Sequence, residues 1–224
     1  MRIPLLARLL ILTLVSGTAG AQTPAAPLNP DRFEPEIRKF EEADRNAPPQ
    51  KDVVVFVGSS SIRRWDSMAK DFPHVPVLNR GFGGSEASDV VRYADRAILP
   101  PKPVRVVFYA GDNDLARGKT PAQIAADVKQ LWEIVGAKLP DTRMAIISVK
   151  PSLARWSLVE KTRETNALLR SLAASDPRLA YVDVFTPMIG PDGKPIPEHF
   201  VEDGLHMTPA GYRVWTTALT PFLR

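Results

Sequence analysis

The sequence predicts an α/β fold. Short apolar runs of strand length recur along the chain, amphipathic segments of helix length separate them, and the glycine-rich loops follow the apolar runs. Strands joined by helix-length crossovers pair in parallel with right-handed connections, so helices cover both faces of the sheet. Ligands of such sheets bind outside the carboxyl ends of the strands, which makes the loops after strands the place to look for chemistry.

Taken in order, residues 1–21 carry Arg2 and Arg8, the apolar run Leu9 to Val15 and the small-residue site Ala19-Gly20-Ala21. This is the pattern of a secretory signal peptide, and its apolar run is short of the roughly 20 residues a spanning helix needs. Cleavage after Ala21 would deliver the chain to the periplasm or the medium, with no membrane span. Residues 22–30, rich in Ala and Pro, read as a flexible leader, and residues 31–224 suffice for one domain with a sizeable core.

Phe33, Ile37, Phe40 and Ala43 recur at helical spacing, so a helix precedes the first strand, Val53 to Val57. A short helix over Ile62 to Met68 and a strand over Val75 to Leu78 follow, leading into the loop Asn79-Arg-Gly-Phe-Gly-Gly-Ser85. Ala87 to Leu99 reads as one helix, Val104 to Tyr109 as the third strand and Ala110 to Asp114 as a loop. Thr120-Pro121 opens a long helix whose face is marked by Ile124, Val128, Leu131, Val135 and Leu139. Met144 to Val149 is the fourth strand, Val159 to Ala174 a helix, Leu179 to Val184 the fifth strand, and Thr208 to Leu223 the closing helix.

Composition narrows the function. The chain carries 29 Lys and Arg against 25 Asp and Glu, and two of the arginines fall in the expected signal peptide, so the remainder is nearly neutral. No run of basic residues reaches three, which argues against nucleic-acid binding. The absence of cysteine removes thiol nucleophiles, thiolate metal sites and disulfides. No tightly spaced ligand set marks a metal site, although Asp112, Asp114, Asp203 and His206 are the acids and imidazole to test. Neither phosphate-binding glycine fingerprint is present, so no nucleotide cofactor is expected.

Asp203 and His206 lie three residues apart in a glycine-containing turn, where the carboxylate can orient an imidazole that serves as a base. The run Gly58-Ser59-Ser60-Ser61 places hydroxyls where the first strand gives way to a helix; spacing alone does not choose among them, and hydroxyls there also serve as helix caps. Ile62 breaks the Gly-x-Ser-x-Gly elbow of ordinary α/β-hydrolases. Gly84 can present an unobstructed N–H and Asn113 a neutral amide to a developing oxyanion. Arg155 and Trp156, after the fourth strand, are candidates for a substrate wall, and His199 for a pocket residue. His74 reads as structural or surface, and Trp65, Trp132 and Trp215 as core or interface aromatics.

Four blocks, Val-Phe-Val-Gly-Ser-Ser-Ser-Ile-Arg-Arg-Trp, Asn-Arg-Gly-Phe-Gly-Gly-Ser, Gly-Asp-Asn-Asp and Asp-Gly-Leu-His, resemble in order those of the GDSL or SGNH hydrolase superfamily. They are most similar to its subgroup of platelet-activating factor acetylhydrolase subunits. The resemblance implies a flavodoxin-like three-layer α/β/α sandwich with five parallel strands. It implies Ser60 as nucleophile, Asp203 and His206 as its partners, and the N–H groups of Ser60 and Gly84 with the Asn113 amide as oxyanion donors. The implied activity is hydrolysis of carboxylic esters with short acyl groups, on a small-molecule or glycan substrate and without cofactor. Two positions depart from the family pattern: Ser59 and Ser85 stand where aspartates are usual. A secreted carbohydrate-binding protein that keeps the fold without turnover is the competing expectation, and the oligomeric state is left open.

Overall fold

The computed structural model describes residues 29–223; the expected signal peptide and most of the leader lie outside them. The order is α1 (Glu34–Asn46), β1 (Val54–Gly58), α2 (Ser60–Arg63), α3 (Met68–Asp71), β2 (Val77–Gly81), α4 (Ala87–Arg92), α5 (Ala94–Ala97), β3 (Arg105–Tyr109), α6 (Asp112–Ala116), α7 (Pro121–Lys138), β4 (Arg143–Ile147), α8 (Val159–Ala173), β5 (Leu179–Val182) and α9 (Pro209–Leu223). The five strands form one parallel sheet in the order β2-β1-β3-β4-β5. The chain leaves β1 in one direction and returns beside it in the other, so a crevice opens between the ends of β1 and β3.

Alternation along the strands divides the core in two. Val55, Val57, Val106, Phe108, Met144 and Ile146 face a cluster completed by α1, α4, α5, α7 and α8. Val54, Phe56, Val107, Tyr109, Ala145 and Ile147 face the opposite cluster, completed by α2, α3 and α9. Both faces are covered, which is why the strand sequences are continuously apolar. The second cluster is unusually aromatic: Trp65 stacks on Tyr212 at 5.1 Å between centroids and meets Trp215 at 5.9 Å, while Tyr109 meets Trp215 at 4.7 Å.

The structure departs from the sequence reading at several elements, each for a local physical reason. β2 is shifted towards the glycine-rich stretch because the ladder starts after Pro76, which has no N–H, and because two polar residues are absorbed into the strand. Asn79 donates to the Ile62 carbonyl and accepts from the Gly81 N–H, and the buried Arg80 pairs with Asp44 of α1 over the Phe40 ring. The short helix expected over 62–68 is two helices, broken where Trp65 turns inward and donates its indole N–H to Asp71. The helix expected over 87–99 breaks at Tyr93, whose ring packs edge-on against Phe82. The expected loop 110–114 instead enters α6, with Gly111 at a φ of 122° against Val149. The long helix α7 is as expected, with Thr120 and Gln123 forming a capping box.

Two glycines permit the close approach of elements at the end of β1. A Cβ on Gly58, whose φ is 137°, would fall 1.8 Å from the Tyr109 carbonyl oxygen. A Cβ on its register partner Gly81 would fall 2.2 Å from the Arg63 nitrogen, inside the backbone of α2. Gly58→Ala therefore meets both an unfavourable φ and a backbone clash. It is expected to cost at least ~3 kcal/mol, read as a fall in thermal midpoint of roughly 6–12 °C.

Candidate active site

The site is built at the carboxyl end of β1. The Ser59 N–H donates to the Tyr109 carbonyl at 3.0 Å, and the Ser59 carbonyl accepts from Ile62 and Arg63 at 3.0 and 3.1 Å, which turns the chain directly into α2. Ser60 is the first helical residue, half-buried, and its N–H has no intrahelical acceptor by position. Of the three serines only Ser60 meets the imidazole: its Oγ lies 3.0 Å from His206 Nε2, across 146 residues of chain.

His206 is held by a turn. Asp203 Oδ1 accepts the N–H groups of Leu205 and His206, each at 2.8 Å, while its Oδ2 lies 2.5 Å from His206 Nδ1. With Nδ1–H donated to the carboxylate, Nε2 is left as the acceptor facing the serine hydroxyl. Burial alone would raise the Asp203 carboxyl, but the bonds from the imidazole and the two backbone N–H groups outweigh it and hold the group well below the usual carboxylate range. It is thus ionised throughout the range in which an imidazole titrates. Arg64 Nη1 stands 3.8 Å from the same carboxylate, a half-exposed pair of small energetic weight. Gly204, at a φ of 63°, closes the turn, and its carbonyl accepts from Ala154 at 3.1 Å, joining this loop to the one after β4.

The loops after β2 and β3 are laced together on the other side of Ser60. Gly84, at a φ of 80°, faces open space at its Cβ position. Asn113 donates from Nδ2 to the Ser85 carbonyl at 3.0 Å, and Asp114 Oδ1 accepts from the Ala87 N–H at 3.0 Å. Burial pushes the Asp114 carboxyl up to about 6, even with Lys119 beside it. The Lys119 ammonium sits among Ser88 Oγ at 2.8 Å, Glu86 at 3.1 Å, Asp114 at 3.2 Å and Asp127 at 3.1 Å. A lysine thus occupies the centre of these carboxylates. Ser59 and Ser85, at the two positions that depart from the family pattern, are buried with hydroxyls that find no partner among the described residues. Asp112 and Asp114 are both engaged by lysines, and among the described residues no group of three or more His, Asp or Glu could hold a metal ion.

Arg155 and Trp156 lie beside this lattice, lining a cavity of about 10 Å³ with Asp112 and Lys150. His199 does not join them. It lines a separate depression on α9 with Pro187, Arg213 and Val214, and burial pulls its imidazole below the usual value. The short 3-10 turn Pro197–His199 packs against the start of α9, where a Cβ on Gly211 would fall 2.5 Å from the His199 carbonyl oxygen. His74 is exposed and lines a concavity of about 660 Å³ with Val53 and Val77, at the amino ends of β1 and β2 and so across the sheet from Ser60. Sequence reasoning missed Lys150, whose side chain is fully buried 3.2 Å from Asp112, because a lysine in the loop just past the fourth strand carries no local signal of burial. It also missed Leu153 and Val201, the large apolar side chains that stand out exposed at these loops.

Known proteins resemble this chain in sequence and in fold. Over 175 residues the chain is 28% identical to the human platelet-activating factor acetylhydrolase IB subunit alpha1, covering 76% of this chain and 74% of that one. A solved structure from Streptococcus pneumonia matches with a TM-score of 0.77 at 19% identity, covering 85% of this chain and 92% of the other. A GDSL-like lipase from Bacteroides thetaiotaomicron matches with a TM-score of 0.69 at 20% identity, covering 87% and 97%. At such identities the structural matches speak to the fold, an α/β sheet of the same class. The family model described as GDSL-like lipase/acylhydrolase matches residues 57–214, from the end of β1 into α9, and the chain belongs to that family of ester-cleaving hydrolases.

Proposed function

We propose that the protein is a serine esterase that releases short acyl groups from carboxylic esters through an acyl-enzyme, with Ser60, His206 and Asp203 as its triad. The observation that carries this reading is the 3.0 Å contact between Ser60 Oγ and His206 Nε2. His206 Nε2 takes the hydroxyl proton as Oγ attacks the ester carbonyl, and Asp203 stabilises the imidazolium. The oxyanion is received by the N–H groups of Ser60 and Gly84 and by the Asn113 N–H not bonded to Ser85. Collapse expels the alcohol with the proton from His206; water then attacks the acyl-enzyme by the same route and releases the acid.

The short-acyl preference is supported by the name of the curated relative, an acetylhydrolase. Exposed Leu153 and Val201 offer apolar contact for the alcohol portion outside the cleft. A carbohydrate-binding role without turnover would need no hydroxyl aligned on an imidazole, so the catalytic reading is favoured. Export follows from the signal-peptide pattern of residues 1–21.

Purified protein is expected to hydrolyse p-nitrophenyl acetate and to be labelled at Ser60 by a fluorophosphonate, with both lost in Ser60→Ala; full turnover in that variant would reject the nucleophile. Asn113→Ala should lower kcat by about 10²- to 10³-fold, as loss of one oxyanion donor does. Asp203→Asn replaces the acceptor of the Nδ1 proton and should cost up to about 10⁴-fold in kcat, measured on the same ester. Amino-terminal sequencing of the exported chain should begin at Gln22; an exported protein that retains residues 1–21 would refute the cleavage site.

A further inference from the structure

An oxyanion donor of the asparagine type has a particular weakness. Its amide has one end that donates and one that accepts, and a half-turn of the side chain would present a carbonyl oxygen where negative charge develops. In this chain both ends of Asn113 are committed. Nδ2 donates to the Ser85 carbonyl at 3.0 Å, and Oδ1 accepts from Arg155 Nη2 at 3.1 Å. A turned amide would set its NH₂ against the guanidinium and its oxygen against the Ser85 carbonyl, losing two hydrogen bonds and creating two repulsions. The Arg155 contact is the half of this lock that comes from a distant element, the loop after β4.

Arg155 is itself anchored from below. Its Nη1 lies 3.4 Å from Asp112 Oδ2, the oxygen that also lies 3.2 Å from the ammonium of the buried Lys150. Burial opposes both charges of the inner pair. The Asp112 carboxyl nevertheless stays below its usual value because Lys150 and Arg155 flank it, whereas the Lys150 ammonium is pulled down. Two cations against one anion leave a net positive charge behind Asn113. The guanidinium, about a quarter exposed, thus has its Nη2 bonded to Asn113 and its Nη1 beside Asp112, an attachment unlike that of a cation presented freely to a ligand.

We propose that Arg155 is a positioning residue of the esterase reaction: it fixes the Asn113 amide with its N–H towards the oxyanion and carries the field of the Lys150–Asp112 pair to that point. This rests on the esterase reading above and assigns Arg155 a role other than the substrate wall expected from its place in the sequence.

The test is a mutant cycle on p-nitrophenyl acetate. Arg155→Met keeps most of the aliphatic stem and should lower kcat by roughly 10- to 10²-fold, the scale of a displaced catalytic group, with KM little changed. Arg155→Lys keeps the charge but not the planar fork and should recover only part of the loss. Because Arg155 acts through Asn113, the double variant Asn113→Ala/Arg155→Met should be no slower than Asn113→Ala alone, within about threefold. Thermal midpoints taken alongside establish that each variant is folded; should Arg155→Met fail to fold, Arg155→Lys in the same cycle carries the test. An unchanged kcat in the folded Arg155 variants, an effect confined to KM, or a double variant whose loss is the product of the single losses would overturn the inference. Wild-type protein that neither turns over the ester nor labels at Ser60 would instead overturn the esterase reading and this inference with it.

Discussion

The site depends on how α9 is fastened to α2. His206 and Ser60 are 146 residues apart, and each sits immediately before or at the start of a helix, so their separation is set by how those helices pack. The fastening is aromatic and specific. Tyr212, on the first turns of α9, stacks on Trp65 and donates its hydroxyl to the Ser61 carbonyl at 3.0 Å, one residue beyond the serine in the dyad. Trp215, one turn further on, is fully buried between Trp65 and Tyr109. Each such side chain contributes about 1.5–3 kcal/mol by leaving water, and together they fix a rigid-body relation that a polar loop alone would not. Thr208 completes the joint by donating to the Glu198 carbonyl at 2.7 Å and accepting from the Gly211 N–H at 3.3 Å, so the chain enters α9 in one direction.

Opposite this joint, the donor side of the crevice is stiffened by cross-links between loops that follow neighbouring strands. Asn113 reaches Ser85, Asp114 reaches Ala87, and Lys119 gathers Glu86, Asp114 and Asp127. These bonds exist before any substrate arrives, which is what electrostatic preorganisation requires. The same lattice bears on the two departures from the family pattern. Ser59 and Ser85 bring no charge to the crevice, and their buried hydroxyls make no bond to either neighbouring loop. The tie between the β2 and β3 loops is made by Lys119 and by the Asn113 amide instead.

Most of this was legible in the sequence where a residue's role follows from local chemistry. The strands announced themselves as apolar runs, the capping box at Thr120 and Gln123 marked α7, and the Asp203–His206 spacing marked a turn that aims both side chains one way. The misreadings have a common source. The sequence reading places Arg80 and Asn79 in a loop, and Lys150 beyond the end of the fourth strand, because periodicity records the cost of burying a polar group but not the partner that removes it. Asp44, the Ile62 carbonyl and Asp112 are those partners, and they lie 36, 17 and 38 residues away along the chain.

The charges around the crevice are arranged along the direction in which the proposed reaction separates charge. As the Ser60 proton moves to His206, positive charge appears on the imidazole, beside an Asp203 carboxylate held ionised by three hydrogen bonds. Negative charge appears on the carbonyl oxygen on the Gly84 and Asn113 side, where Lys150, Asp112 and Arg155 sum to one positive charge. The two halves differ in surroundings. Asp203 has 45% of its side-chain surface in solvent, so its attraction is screened, whereas the Lys150 and Asp112 side chains are 0% and 9% exposed and act through a poorly polarisable medium. The Lys150 and Asp112 charges are therefore screened less than the exposed carboxylate, and Arg155, about a quarter exposed, is screened between the two, although all three stand further back and reach the oxyanion only through the Asn113 amide. A neutral amide in front of a net cation gives directional donation without placing a charged side chain against the oxyanion, where an uncharged ester would have to displace its hydration.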